Sequence, residues 1–188
     1  MIRSLAPLAL GLLLGGMVSV GQPSGVWLDV PFVRQEKNGC GAATIAMVMQ
    51  YWERQQSQPG KVSSPRGDDP GEIQHALYSP SAEGIYASSM EKYFQQHGFR
   101  TFAFAGDWDA LEQHLEKGRP LIAALKSGRT SLHYVVVVGL DSQQNVVLKN
   151  DPAERKLLKQ DRVAFEKEWK AAGNWTLLAV PQQGDHGS

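Results

Sequence analysis

The stretch GCGAATIAMVMQYW, Gly39 to Trp52, constrains the fold more than any other part of the chain. From Gly41 onward it reads as a helix that is apolar almost all the way round. Ile45, Met49 and Trp52 mark one face, and Ala42, Ala46 and Met47 fill others. Such a helix has no face to offer to water, so it belongs inside a domain that the rest of the chain must build around it. It opens on Cys40, the one cysteine in 188 residues, set between two glycines.

Compartment decides what a lone thiol can do. The N-terminus, MIRSLAPLALGLLLGGMVSVGQPSG, carries one Arg, an apolar run from Leu5 to Val20, and then small and polar residues. That is the layout of a secretory signal peptide, expected over residues 1–22 with the cut between Val20 and Ser24. The run contains Pro7 and several glycines and falls short of the roughly 20 residues of a membrane span, so cleavage is expected over retention as an anchor, and no stable span afterwards. No cysteine sits near the cut, which excludes a lipid-modified start on that residue. The mature chain is then secreted or periplasmic, an oxidising setting in which a structural cysteine normally has a partner. Cys40 has none within the chain, which leaves a buried inert thiol, an intermolecular bridge or a reactive nucleophile.

What remains is enough for one domain with its own core, expected over residues 27–181, with a disordered tail at 182–188. The 19 basic and 19 acidic side chains balance and form no block, so nothing points to nucleic acid or an acidic membrane surface as partner. There is no internal repeat and no low-complexity tract. Oligomeric state is not legible.

Leu28 to Arg34 is expected to be an extended arm, and Gln55 to Gly71 an exposed loop rich in turn residues. Helices are expected over Glu72–Leu77, Ile85–Gln96 and Asp107–Lys117, the last capped by Asp107 and stopped by Gly118. After Pro120 the pattern changes to β-branched runs: LIAALK, HYVVVVGLD and NVVLKND read as strands, with Val135 to Val138 buried on both faces. A helix over Val163–Lys170 and a strand over Trp175–Val180 close the domain. Helices first and mostly antiparallel strands afterwards give an α+β domain, the Cys40 helix packed on the sheet.

Cys40 falls at the first turn of the buried helix, where unpaired backbone N–H groups and the positive end of the helix dipole favour a thiolate. Gly39 and Gly41 leave room for a substrate backbone to approach. His133 stands at the start of a rigid central strand, a good place for a base. If HYVVVVGLD pairs with NVVLKND through a turn at Asp141 to Gln144, Asp151 or Asn150 falls opposite about Val135 or Tyr134, beside His133. Gln35, on the arm leading into the helix, offers an amide that can join the Cys40 N–H as an oxyanion hole. The other histidines, His75, His97, His114 and His186, show no ligand spacing and are read as surface residues, so no metal or organic cofactor is expected. Met47 and Met49 are read as core filling, Trp108 as packing, and Asp68 with Asp69 as loop solvation.

The residues Gln35, Asn38 to Ala43, Met47, His133 to Val137 with Gly139, and Asp151-Pro152 together resemble the bacteriocin-processing, double-glycine leader cysteine peptidases and their stand-alone secreted relatives. The resemblance runs from about Asp29 to Asp151, most of the mature chain. It implies a papain-like fold, with Cys40 as nucleophile, His133 as general base and then acid, Asp151 orienting His133, and Gln35 as oxyanion donor. Asp151 rather than Asn150 matches the family's Asp-Pro. The interval from Cys40 to His133 is shorter than the roughly 130 to 150 residues of the papain branch, which favours the compact bacteriocin-peptidase branch. The best-known members are cytoplasmic domains of export ATPases that cut after two glycines. The signal peptide sends this domain elsewhere, so double-glycine specificity is not carried over.

The expected activity is that of a secreted cysteine endopeptidase acting on peptide or protein substrates through a Cys-His-Asp triad and a thioester. A catalytically silent peptide-binding module and a papain-like acyl or peptidyl transferase are the alternatives. The first would require a missing chemical group, and all four are present. The second differs only in whether an amine or water reaches the thioester.

Overall fold

In the structure, a computed structural model describing residues 25–56, 67–126 and 132–182, the apolar helix is α1, Cys40–Gln56. Ala42, Ala43, Ile45, Ala46, Met47, Val48, Met49 and Tyr51 are all buried along it, as its missing polar face requires. Trp52 lies at the edge of this packing and donates from Nε1 to the carbonyl of Ala179 at 2.9 Å. The segments expected as signal peptide and tail lie outside the described residues, except Gln182, whose N–H donates to the Gly98 carbonyl at 2.8 Å.

Helices α2 (Pro70–Leu77) and α3 (Ala87–Gln96) follow, then strand β2 (Phe99–Ala105), helix α4 (Trp108–Glu116), strands β3 (Leu121–Leu125), β4 (His133–Asp141), β5 (Val146–Asn150) and β6 (Leu158–Asp161), helix α5 (Arg162–Lys170) and strand β7 (Trp175–Pro181). A short strand β1 (Gly25–Trp27) precedes α1. Among the described residues these strands form one antiparallel sheet in the order β2-β7-β3-β4-β5-β6, with β1 against the far end of β4. Helices lie on both faces. Ile122, Ala124, Tyr134, Val136 and Val138 point toward α1, α2 and α3, whereas Leu121, Ala123, Leu125, Val135 and Val137 point toward α4 and α5. Strands covered on both sides have no polar face, which is why β3 and β4 read as unbroken apolar runs. Among the described residues no helix is long and apolar enough to cross a membrane.

Local chemistry sets the helix starts. Asp69, Asp107 and Asp161 each accept the N–H three residues on, at 2.8, 2.8 and 3.1 Å. The cap at Asp69 starts α2 at Pro70, and α1 runs on to Gln56, so both ends of the expected 55–71 loop are helical; residues 57–66 lie outside the described set. Ile85 and Tyr86 precede α3, which begins at Ala87.

Three strands escape the sequence pattern: β1, which pairs with β4 from Gly25, ahead of the expected domain start at 27, and then β2 and β6. β2 is an edge strand whose phenylalanines, 99, 102 and 104, do not alternate, and it interrupts the expected order of helices before strands. β6, LKQD, is nearly all polar and is held by its ladder to β5. Trp108 packs as expected, buried with the Arg162 guanidinium 4.0 Å above its ring.

Candidate active site

Cys40 is the first residue of α1 and is half-buried. The chain reaches it through a tight turn in which Asn38 takes a positive φ of 57° and the Gly39 N–H returns to the Glu36 carbonyl at 3.0 Å. The flanking glycines serve the protein's own packing. A Cβ on Gly41 would stand 3.0 Å from that of Ile85, and one on Gly39 would stand 3.2 Å from the Glu36 carbonyl oxygen. This close packing by itself calls for glycine at both positions.

His133 opens β4; its imidazole is hydrogen-bonded to Asp151 and lies close enough to Cys40 for the thiol to act on its protonation. Nε2 lies 2.7 Å from Asp151 Oδ1. That leaves Nδ1 as the ring nitrogen available to the thiol. Burial by itself would push the His133 pKa down; the hydrogen bonds to Asp151 and Cys40 and the negative charge of both outweigh it and raise it to about 9. Asp151 follows the opposite logic. Its burial would raise its pKa, but the bond to His133 and the charges of His133 and Lys149 bring it down to about 2. Burial also pushes Tyr134 up to about 12, with the charge of Cys40 adding to it.

Asp151 and its neighbour Asn150 face different parts of the molecule. Asn150 is buried and opposes Val136; its Nδ2 donates to the carbonyls of Val30 and Pro31 at 3.1 and 3.3 Å, and its Oδ1 accepts the Leu157 N–H at 3.0 Å. It holds the arm before α1 and does not face His133. Asp151, 2 % exposed, has three partners: His133 and the Ala153 N–H on Oδ1, the latter at 3.1 Å, and Lys149 Nζ at 3.2 Å from Oδ2. Lys149 did not emerge from the sequence. The available signal was a basic residue within an otherwise apolar strand, two positions before Asp151 and so on the same side of it.

Gln35 is joined to this end of the sheet through its backbone, whose N–H donates to the Pro152 carbonyl at 3.0 Å, while Arg34 Nη2 reaches the Glu154 carbonyl at 2.9 Å. Its half-buried side chain lines a pocket beside the start of α1 with Gly39, Ala42, Ala43 and Gln74. Its Oε1 is buried without a partner, as is that of Gln74. The arm carrying Gln35 and the turn carrying Asp151 are thus fastened to each other, and both adjoin the helix start that carries Cys40.

The other histidines stand apart from this cluster. His75 is exposed. His97 and His114 are half-buried rather than free on the surface: His97 stacks on Tyr93 with centroids 4.1 Å apart, and His114 lies against Phe104 with burial pushing its pKa down. His186 lies outside the described residues. Among the described residues no group of three His, Cys, Asp or Glu side chains could hold a metal ion.

A thiol at a helix start, an imidazole at the start of a central strand and a carboxylate behind it, on a sheet with helices on both faces, define a papain-like fold of the cysteine peptidase kind. The chain belongs to the Peptidase_C39 like family, whose model matches residues 27–177. Among solved structures it is similar to the peptidase domain of ComA from Streptococcus, a bifunctional ABC transporter involved in quorum sensing, at 22% identity and a TM-score of 0.60, covering 80% of this chain and 98% of that one. It is similar to a double glycine motif protease from an AMS/PCAT transporter in complex with the leader peptide, at 20% identity and 0.62, covering 84% and 95%. The digestive procathepsin L 3 of Tenebrio molitor larval midgut shares the fold at 13% identity and 0.58, covering 88% and 72%. No curated protein matches the chain in sequence.

Proposed function

We propose that the chain is a secreted cysteine endopeptidase in which Cys40, His133, Asp151 and Gln35 carry the chemistry. The observation that carries this reading is the imidazole of His133 held between the Cys40 thiol and the buried Asp151 carboxylate. The apolar N-terminal run supports export, and family membership supports peptide substrates.

In this mechanism His133 holds the thiol proton as an imidazolium, and the thiolate attacks a peptide carbonyl carbon. The new C–S bond places negative charge on the carbonyl oxygen, which the Cys40 N–H and the Gln35 amide receive. Collapse breaks the C–N bond as His133 gives its proton to the leaving amine. The neutral imidazole then takes a proton from water, whose oxygen attacks the thioester. The carboxyl product leaves, and the thiolate and imidazolium are restored. Asp151 keeps the ring oriented throughout and stabilises the imidazolium. The double-glycine protease in complex with its leader shows one substrate type handled by a similar fold.

The test is a peptide mixture incubated with the mature protein and read by mass spectrometry, with Cys40→Ala as control. Internal cuts that fall by about 1000-fold or more in the variant are expected. Products capped by an added amine would make the enzyme a transferase, and no cleavage or acyl-enzyme from any peptide would favour a binding module.

A further inference from the structure

We infer that Lys149 is a positioning residue of the active site: by taking Asp151 Oδ2 it commits Oδ1 to His133, and its positive charge balances the carboxylate behind the Cys40–His133 pair. The inference rests on the peptidase reading above. It begins with a side chain out of place. Lys149 is 5 % exposed, yet its cross-strand neighbours are Val137 on β4 and Leu158 on β6, both apolar. A leucine would pack there with no charge to bury. An ammonium removed from water is costly unless paired, and the ion pair found for Lys149 is to Asp151 Oδ2, at 3.2 Å.

The charges around the pair show what this partner does. From α1 the titratable group is Cys40; from β4 it is His133, with Tyr134 close enough to feel the charge of Cys40; from β5 they are Lys149 and Asp151. α5 turns Phe165 and Trp169 to the sheet on its side. With the thiolate and imidazolium formed, Cys40, His133 and Asp151 together carry one net negative charge, and Lys149 cancels it. A positive charge behind the carboxylate also offsets part of the stabilisation that Asp151 gives the imidazolium, so the Nδ1 proton on the Cys40 side is released more readily to the leaving amine.

The same geometry explains why a carboxylate is required here. An asparagine has one acceptor oxygen. It could serve His133 or Lys149, but not both, and its NH2 would then face the other donor. Asp151 has an acceptor oxygen for each of these two side chains, with the Ala153 N–H sharing Oδ1 with His133.

The test reads the rate of Cys40 alkylation by iodoacetamide against pH, with folding checked by circular dichroism. Lys149→Met is expected to move both limbs of the profile upward by about one pH unit, because losing a nearby positive charge favours every protonated form, while Lys149→Arg stays near wild type. Lys149→Gln serves if the Met variant does not fold. In mildly acid solution Asp151→Asn is expected to slow alkylation about tenfold, and adding Lys149→Met to it to restore most of the rate by freeing the amide oxygen for His133. If the limbs of the folded Lys149 variants superimpose on wild type, or the double variant is no faster than Asp151→Asn, Lys149 is a packing residue and the inference falls alone. If wild type itself follows an ordinary thiol, the reading of a Cys40–His133 pair fails and takes the inference with it.

Discussion

The β4–β5 hairpin carries a carboxylate at each end, and the two are used in opposite ways. At the turn, half-buried Asp141 accepts the N–H groups of Gln143 and Gln144 at 3.1 and 2.9 Å, bonds within three residues of itself. At the open end, Asp151 is buried and reaches His133 on the other strand, at 2.7 Å, and Lys149 beside it. The first carboxylate shapes its own loop and needs nothing else of the fold. The second has its position set by the whole sheet, because strand register, the buried lysine and α1 must all be in place for Asp151, His133 and Cys40 to meet. A charge satisfied locally gives structure, whereas one satisfied across the fold gives a group whose protonation is linked to distant neighbours.

Breaking the open end has the largest expected effect. Asp151→Asn should lower peptide cleavage by about 100-fold while the protein still folds, since acid–base catalysis loses its oriented imidazole. The same change should alter the pH dependence of stability. His133 has a folded pKa raised from 6.5 to about 9, so its contribution is fully present below 6.5 and is lost as pH rises through about 9. Asp151 is lowered from 3.8 to about 2, so its contribution is present above 3.8 and is lost as pH falls toward 2. Melting temperature should therefore be flat between those windows and fall on either side, and Asp151→Asn should flatten both slopes. A variant that melts with the wild-type pH profile would show that the two groups are not linked.

One residue away, Asn150→Ala tests the support behind the site. It strands the Leu157 N–H and the carbonyls of Val30 and Pro31, with an expected cost of about 1–3 kcal/mol in chemical denaturation. Because the arm it holds continues to Gln35, cleavage should also fall, but severalfold rather than by the margin at Asp151. Equal losses at the two positions would erase the distinction between them.

Much of this was legible in the sequence, and the failures have physical causes. α1 was visible because an apolar helix has no alternative to burial, and the capped start at Asp107 because a cap is local chemistry. The meeting of His133 with the end of β5 followed from hairpin register. Which of Asn150 and Asp151 would face it did not follow from register alone, because a shift of one residue exchanges the faces of a strand, and β4 carries an irregularity between Val137 and Gly139 that turn length does not announce. The Asp-Pro of the resembled family favoured Asp151. Lys149 stayed hidden for a related reason: a lysine in a strand reads as solvent-facing until the partner that accepts its burial is known. β1, β2 and β6 were missed because short and edge strands are specified by their ladders more than by their own pattern.

The smallest expected effect lies at the closed end, and it is the one that sharpens the comparison most. Asp141→Ala removes two acceptor contacts to the loop N–H groups of Gln143 and Gln144, which water can largely replace, so the expected loss is about 0.5–1 kcal/mol. Cleavage and the alkylation profile of Cys40 should be unchanged, because β4 and β5 remain paired from Val136 opposite Asn150 to Leu140 opposite Val147 without the turn carboxylate. A shift in the alkylation limbs would mean that the turn helps set the register that brings Asp151 to His133, and that the two ends of the hairpin are mechanically coupled. Unchanged limbs with a small loss of stability would show that the ladder alone holds the open end in register.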